Sequence, residues 1–404
     1  MESSVADERR RDLVSGAREL PRVGRVAAGS GQSEPFVLLD QRGDDVPAVR
    51  AWVCELVVAD QSVRTVRAYC YAVLIWYRVL WFVGVEWQRA TELETVAMVG
   101  WLRMARNPPR RRRATSPPAG SVNIKTGKPV LGAGYQASTI NLALAAVHGF
   151  YAFHAHWSRG PVVNPVPGSP QRRRALMHRS PIEPAPSFRR ARLRQKSIEV
   201  LPRSIPQPQW EALFAAMGCD RDRALLTAFV CSGVRAAEML GMSIDDLDWA
   251  GQRAWVVSKG SRDRRVAPLS PEAMSWLARY LDSDGVPAAG GPLWRTRRGS
   301  QRALTYPALR RVMQRANDGL GTNWTVHDLR HTAAARMVAS GVLTLPEVQV
   351  VLGHADLRTT SRYTVPRTDE LCERLQEFYA RPAAPARRFS AGYAAADLAV
   401  VFGV

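Results

Sequence analysis

A phenol acts as a nucleophile only where a neighbour takes its proton and cations receive the charge of the group under attack. Tyr363 ends the segment Thr359-Thr360-Ser361-Arg362-Tyr363, and alone it reads as one more core or surface tyrosine. Its claim on chemistry depends on what accompanies it. In Thr325-Val326-His327-Asp328-Leu329-Arg330-His331, both histidines and the arginine fall at i, i+3 and i+4, one face of a helix. Two imidazoles beside a guanidinium suit phosphate binding and proton transfer. The His327/His331 spacing also fits a metal, but Arg330 lies between them and no acidic third ligand follows, so no metal is expected. In Leu352-Gly353-His354, Gly353 has the type that ends a helix in the left-handed conformation, which leaves His354 in a turn. Thr359 or Thr360 then serves as N-cap of the next helix, with Tyr363 on it.

Two more positions join these. An apolar helix stops at Gly233, and a new one starts with Arg235, whose guanidinium Glu238 can hold from three residues on. Taken alone, Arg235 reads equally well as a surface arginine or a structural ion pair. Lys259 sits in the polar turn Ser258-Lys259-Gly260-Ser261, and only four of the 56 cations are lysine. Arginine keeps its proton at any working pH, whereas lysine can give it up, so a site needing a proton donor keeps a lysine. An ordinary exposed turn lysine is the other reading.

These residues need elements to position them. Apolar residues recur at helical spacing over Val46 to Val58, Ser62 to Val83 and Thr91 to Arg106, as in Val66, Tyr69, Val73, Trp76 and Leu80. A fourth helix, Ser138 to His156, has Ser138 or Thr139 as its cap and stops before Gly160-Pro161. After Pro202 come helices over Gln207 to Met217 and Arg221 to Cys231, then a β-hairpin with Trp255-Val256-Val257 and Val266, Ala267 and Leu269 flanking the lysine turn. Helical patterns resume to about residue 380. The fold class is therefore mainly α with a small β-sheet (α+β): a helical domain over 45–165 and a mixed domain over 201–380. Residues 1–44 have no sustained period and read as a flexible arm. Residues 381–404 read as a tail whose apolar end packs on its own domain or on a neighbour.

With a formal net charge of +20, the chain seeks polyanions, nucleic acid first. Two basic stretches stand out. The Pro/Gly-rich insertion 107–135 holds Arg110, Arg111, Arg112 and Arg113, a solvated charge run or a phosphate contact. The proline-rich linker 166–200, which reads as extended, holds Arg172, Arg173, Arg174, Arg189, Arg190, Arg192, Arg194 and Lys196. The most apolar stretch, Leu74 to Val85, is broken by Arg78 and too short to span a bilayer, and the first residues carry charges where a signal peptide is apolar. A soluble, cytoplasmic protein is expected. Five scattered cysteines without a CxxC pair indicate neither a zinc site nor a disulfide framework.

Taken in order, Gly233 to Leu240, Lys259, His327 to His331, Leu352 to His354 and Thr359 to Tyr363 resemble the catalytic boxes of the tyrosine recombinase, or phage integrase, family. One such box is a weak signal; five in register are a strong one. The helices up to Asn164-Pro165 are similar to that family's core-binding domain by pattern rather than by motif, and the insertion and long linker depart from it. The resemblance implies site-specific recombination of double-stranded DNA, with Tyr363 as nucleophile forming a 3′-phosphotyrosyl bond. Arg235 and Arg330 would hold the non-bridging oxygens, and His354 would add a third donor. Lys259 would protonate the leaving 5′-oxygen and His327 would assist proton movement, with Glu238 and His331 supporting. It also implies no metal, cofactor or ATP and a tetramer on paired sites, and it leaves open whether the host is a mobile element (phage, transposon or plasmid) or a chromosome and whether a second recombinase or accessory protein is a partner. Two rivals remain: a relaxing enzyme of the type IB topoisomerase kind, and a helix-turn-helix regulator built on Leu345 to Val365.

Overall fold

The computed structural model describes residues 2–107, 117–169, 190–197, 202–258, 263–354, 357–363, 368–380 and 394–403. The chain divides into two units, Met1–Glu199 and Val200–Val404.

In the first unit, α3 (Val63–Val83) carries the stripe Val66, Cys70, Val73, Trp76 and Leu80 on its buried side. By length and composition alone this helix could cross a bilayer, contrary to the reading of its arginine as a break. Ser62 caps it by accepting the Thr65 N–H, and Gly84, left-handed at φ 84°, ends it. Around it lie α1 (Glu2–Ser15), the hairpin β1 (Arg25–Ala28) and β2 (Phe36–Leu39), α2 (Pro47–Val58), α4 (Glu92–Met104) and α5 (Ala137–His156). Phe150 of α5 is fully buried, with edge contacts to Trp52, Tyr77 and Trp87 at 5.8, 6.1 and 5.4 Å between ring centroids. Such aromatic nodes hold a small core more firmly than area alone.

Three sequence expectations change here. Residues 1–44 are not a loose arm: Leu13, Leu20 and Leu38 are buried in the unit's core, and Arg10 donates to the fully buried Glu94 at 2.6 Å. Short apolar contributions from widely spaced leucines carry no period to read. Helix α5 starts at Ala137 after Gln136, which makes no side-chain cap, so neither Ser138 nor Thr139 is the cap. Nor is the linker extended throughout, since Leu193 packs on the same core, Asn141 and Gln195 exchange hydrogen bonds of 3.0 and 2.8 Å, and Arg192 pairs with Glu92. Arg110 to Arg113, Arg172 to Arg174 and Arg189 lie outside the described residues.

The second unit packs α6 (Gln207–Ala215), α7 (Asp220–Ser232), the short α8 (Ala236–Leu240), α9 (Pro271–Asp284), α10 (Tyr306–Leu320) and α11 (Val326–Ala339) around Leu213, Leu225, Phe229, Tyr280, Trp294, Leu309 and Leu329. Its sheet is antiparallel, in the order β3 (Leu247–Asp248), β4 (Arg253–Val257), β5 (Arg264–Pro268), with Trp255 opposite Val266. A smaller cluster of Ala334, Val348 and Leu352, with Tyr363 against it, joins α11 to α12 (Leu345–Leu352), and the short α13 (Leu357–Ser361) precedes Tyr363. Helices α14 (Thr368–Ala380) and α15 (Ala395–Phe402) follow, and Val400, Val401 and Phe402 are exposed.

Candidate active site

Helix α12 ends as its sequence predicts, at Gly353 in the left-handed region with φ 64°. The last turn of a helix leaves carbonyls that must find donors. The Gly353 and His354 amides take those of Val350 and Gln349. The next three go to three different arginines: Arg265 Nη1 donates to Val351 O at 2.7 Å, Arg330 Nη2 to Leu352 O at 2.8 Å and Arg235 Nη2 to Gly353 O at 2.8 Å. A helix C-terminus carries partial negative charge, so it is a favourable place to gather cations.

Each arginine is fixed from a second side. Arg235 is the N-cap of α8, and Glu238 accepts from its backbone N–H at 2.9 Å and from its Nη1 at 2.8 Å. Arg330, on α11 and only 4% exposed, also donates to Gly233 O at 2.6 Å. Arg265, on β5, reaches Glu238 Oε2 at 2.7 Å. Glu238, itself buried, therefore serves two guanidiniums, and they outweigh its desolvation and hold its carboxyl below the usual range. Burial and the neighbouring Arg235 bring Arg330 down to about 10. Among the described residues, three guanidiniums against one bonded carboxylate leave the cluster short of negative charge, the condition for receiving a phosphate.

Histidines and the tyrosine complete the site. His354 Nδ1 lies 2.8 Å from the buried Thr360 hydroxyl, and its ring is parallel to that of Tyr363 at 6.5 Å. Burial first, then Arg330 and Arg235, depress His354 to about 4. His331 Nδ1 lies 2.6 Å from Tyr363 Oη, and the exposed His327 sits edge-on to His331 at 4.2 Å. Burial and His327 depress His331 to about 4 as well. A neutral His331 with its proton on Nε2 accepts from the phenol. Burial raises Tyr363, while Arg330 and Arg362 pull it down.

Thus Arg235, Glu238, His327, Arg330, His331, His354 and Tyr363 occur together, and Lys259 falls in 259–262, outside the described residues. The local structure around Tyr363 corrects the sequence reading. Thr359 and Thr360 lie inside α13 rather than capping it, and Tyr363 follows that helix, its amide donating to Thr360 O at 3.0 Å. His354 takes the Thr360 hydroxyl that a cap would use. Sequence reasoning missed Arg265. The signal was parity: Arg265 and the buried Ala267 share one face of β5, so a charge stands where the strand turns inward.

Residues 203–370 match the phage integrase family. The chain is 35% identical to the tyrosine recombinase XerD of Pseudomonas aeruginosa, over 45% of this chain and 62% of that protein. It is also 35% identical to the tyrosine recombinase XerC of Pelobacter propionicus, over 38% of this chain and 50% of that protein, so it matches less than two thirds of the length of either. In fold it is similar to a lambda integrase dimer bound to a core site, with a TM-score of 0.52 at 15% identity over 79% of this chain and 96% of that one. It is also similar to the Tn1549 transposon integrase in complex with a circular intermediate DNA, with a TM-score of 0.51 at 13% identity over 82% and 99% of the two chains.

Proposed function

We propose that the chain is a site-specific DNA recombinase that cuts and rejoins strands through a covalent bond to Tyr363. The observation carrying this reading is the cluster on the α12 terminus, where Arg235 and Arg330 are held beside His354 and Tyr363 with one carboxylate, Glu238, bonded to the guanidiniums among the described residues. A scissile phosphate supplies the missing negative charge.

In the first step the Tyr363 Oη–P bond forms as the P–O5′ bond breaks. The phenolic proton leaves toward His331, its hydrogen-bond partner, with the exposed His327 beside it as the route to solvent. Lys259 protonates the departing 5′-oxygen, so one proton leaves the tyrosine and one arrives at the hydroxyl. Arg235 and Arg330 stabilise the charge that grows on the non-bridging oxygens, and His354 donates a third bond. Attack by a 5′-hydroxyl reverses each step, and the bond energy held in the phosphotyrosine makes ATP unnecessary. No metal takes part. The work is done in the cytoplasm on double-stranded DNA of a mobile element, by four copies on paired sites, with a second recombinase or accessory protein choosing direction. Exposed Val400, Val401 and Phe402 on α15 supply the contact between copies. Deleting residues 390–404 therefore abolishes paired-site complexes; unchanged assembly would remove that assignment.

A regulator built on Leu345 to Val365 needs a recognition helix, and α13 is five residues long. A relaxing enzyme shares the chemistry but releases no recombinant product. The test is covalent trapping: the chain, in EDTA, meets a pool of nicked duplexes of random sequence together with its own flanking DNA. A denaturant-resistant adduct lost in Tyr363→Phe is expected, and sequencing the trapped duplexes yields a cleavable site. Binding without adduct would overturn the reading.

A further inference from the structure

Arg265 has no role in the chemistry above, yet both of its Nη groups are tied to the protein, as are those of the other two arginines on the α12 terminus. One Nη group bonds Glu238, the other bonds Val351 O, and its side chain is 14% exposed. Its two acceptors belong to parts of the site that no helix or strand joins directly: Glu238 fixes Arg235 at the start of α8, and Val351 begins the run of carbonyls that ends with those holding Arg330 and Arg235. The same terminus leads through Gly353 to His354. A Cβ on Gly353 would fall 2.9 Å from Arg265 Nε, so the glycine and the arginine fit one another, and no larger residue can stand there without displacing the guanidinium.

We infer that Arg265 is a positioning residue for strand cleavage: by bonding Glu238 and the Val351 carbonyl at once, it sets Arg235, Arg330 and His354 to the spacing of one phosphate. A guanidinium suits the task because its planar fork reaches two acceptors in fixed directions, which a lysine cannot do. Its place on β5, a few residues after Lys259 in sequence, ties the strand leaving the lysine turn to the arginines. The inference rests on the proposed cleavage reaction, and its test separates the two.

The experiment uses the full chain and a duplex recovered by trapping, made in two forms: with its normal scissile phosphodiester, and with a methylphosphonate there. The methylphosphonate carries no charge on its non-bridging atoms and needs less from correctly placed arginines. Arg265→Lys is expected to slow adduct formation on the phosphodiester about 10- to 100-fold, as small misplacements at a reacting centre do. Duplex binding changes little, and on the methylphosphonate the deficit relative to wild type shrinks to a few-fold. A wild-type rate, or an equal deficit on both duplexes, would overturn the inference, the latter because a general loss of structure does not distinguish the substrates. Should Arg265→Lys fail to fold, Gly353→Ala displaces the same guanidinium and is compared on the same two duplexes: a deficit that shrinks on the methylphosphonate supports the inference, and a wild-type rate or an equal deficit overturns it. Failure of the wild-type chain to form any adduct would count against the cleavage reaction itself.

Discussion

His331 and His354 stay neutral well below the usual histidine range, the first held down by burial and His327, the second by burial and the guanidiniums of Arg330 and Arg235. Unfolded, each would bind its proton near pH 6.5; folded, near 4. The unfolded chain therefore holds more protons between those values, so the contribution to stability is fully present above the upper one and is lost as pH falls toward the lower. Each histidine adds at most about 1.4 kcal/mol per pH unit across that window. Calorimetry of the full chain between pH 7 and 5 should show a falling melting temperature, with a flatter fall in the His331→Gln, His354→Gln double variant; equal slopes would contradict the assignment. A bound phosphate opposes the same guanidiniums. In Tyr363→Phe, the His354 midpoint followed by NMR should therefore rise by about one unit or more when the duplex is added. At this scale the sequence was informative: seven of the residues it singled out occur together, because each stood in a recognisable segment. Arg265 escaped because one of two adjacent arginines in Arg264-Arg265-Val266 looks like strand-edge charge until parity puts it on the inner face.

Left-handed glycines set the spacing of the elements that hold the site. Gly233, at φ 63°, ends α7, and a Cβ there would lie 2.5 Å from Leu352 Cδ2 and 3.2 Å from Ala333 Cβ. Its carbonyl holds Arg330. Gly233→Ala should thus cost more than about 1 kcal/mol in denaturant unfolding, from strain and from separating α11 and α12. It should also slow adduct formation, because Arg330 moves with its acceptor. A neutral effect on both would mean that Gly233 does not set the place of Arg330. The helix-ending roles of Gly233 and Gly353 were legible from residue type. The cap on the tyrosine segment was not, since Thr360 has two uses for one hydroxyl and only the fold shows that His354 takes it. Long-range pairings of this kind have no sequence period.

Across the whole molecule, the excess of positive charge acts on affinity rather than on chemistry. Each cation that meets a phosphate adds about −0.9 to the slope of log K against log salt. Changing Arg172, Arg173 and Arg174 to glutamine should make that slope about 3 units shallower in a binding titration, while the cleavage rate at saturating duplex stays unchanged. An unchanged slope would mean that the linker does not meet DNA. Arg192 is already paired with Glu92, so composition overstated what that stretch can offer. The same is true of the N-terminal residues: low periodicity suggested an arm, yet buried Leu13, Leu20 and Leu38 tie it into the first unit's core.

If the phenol of Tyr363 becomes the carrier of the DNA strand, the bond can be found on that residue. The measurement is to digest the trapped adduct with trypsin and nuclease and to read the modified peptide by mass spectrometry. A 3′-nucleotide phosphate is expected on Tyr363 and on no other residue of the chain. The same mass on a serine, a histidine or another tyrosine would contradict the assignment of the nucleophile.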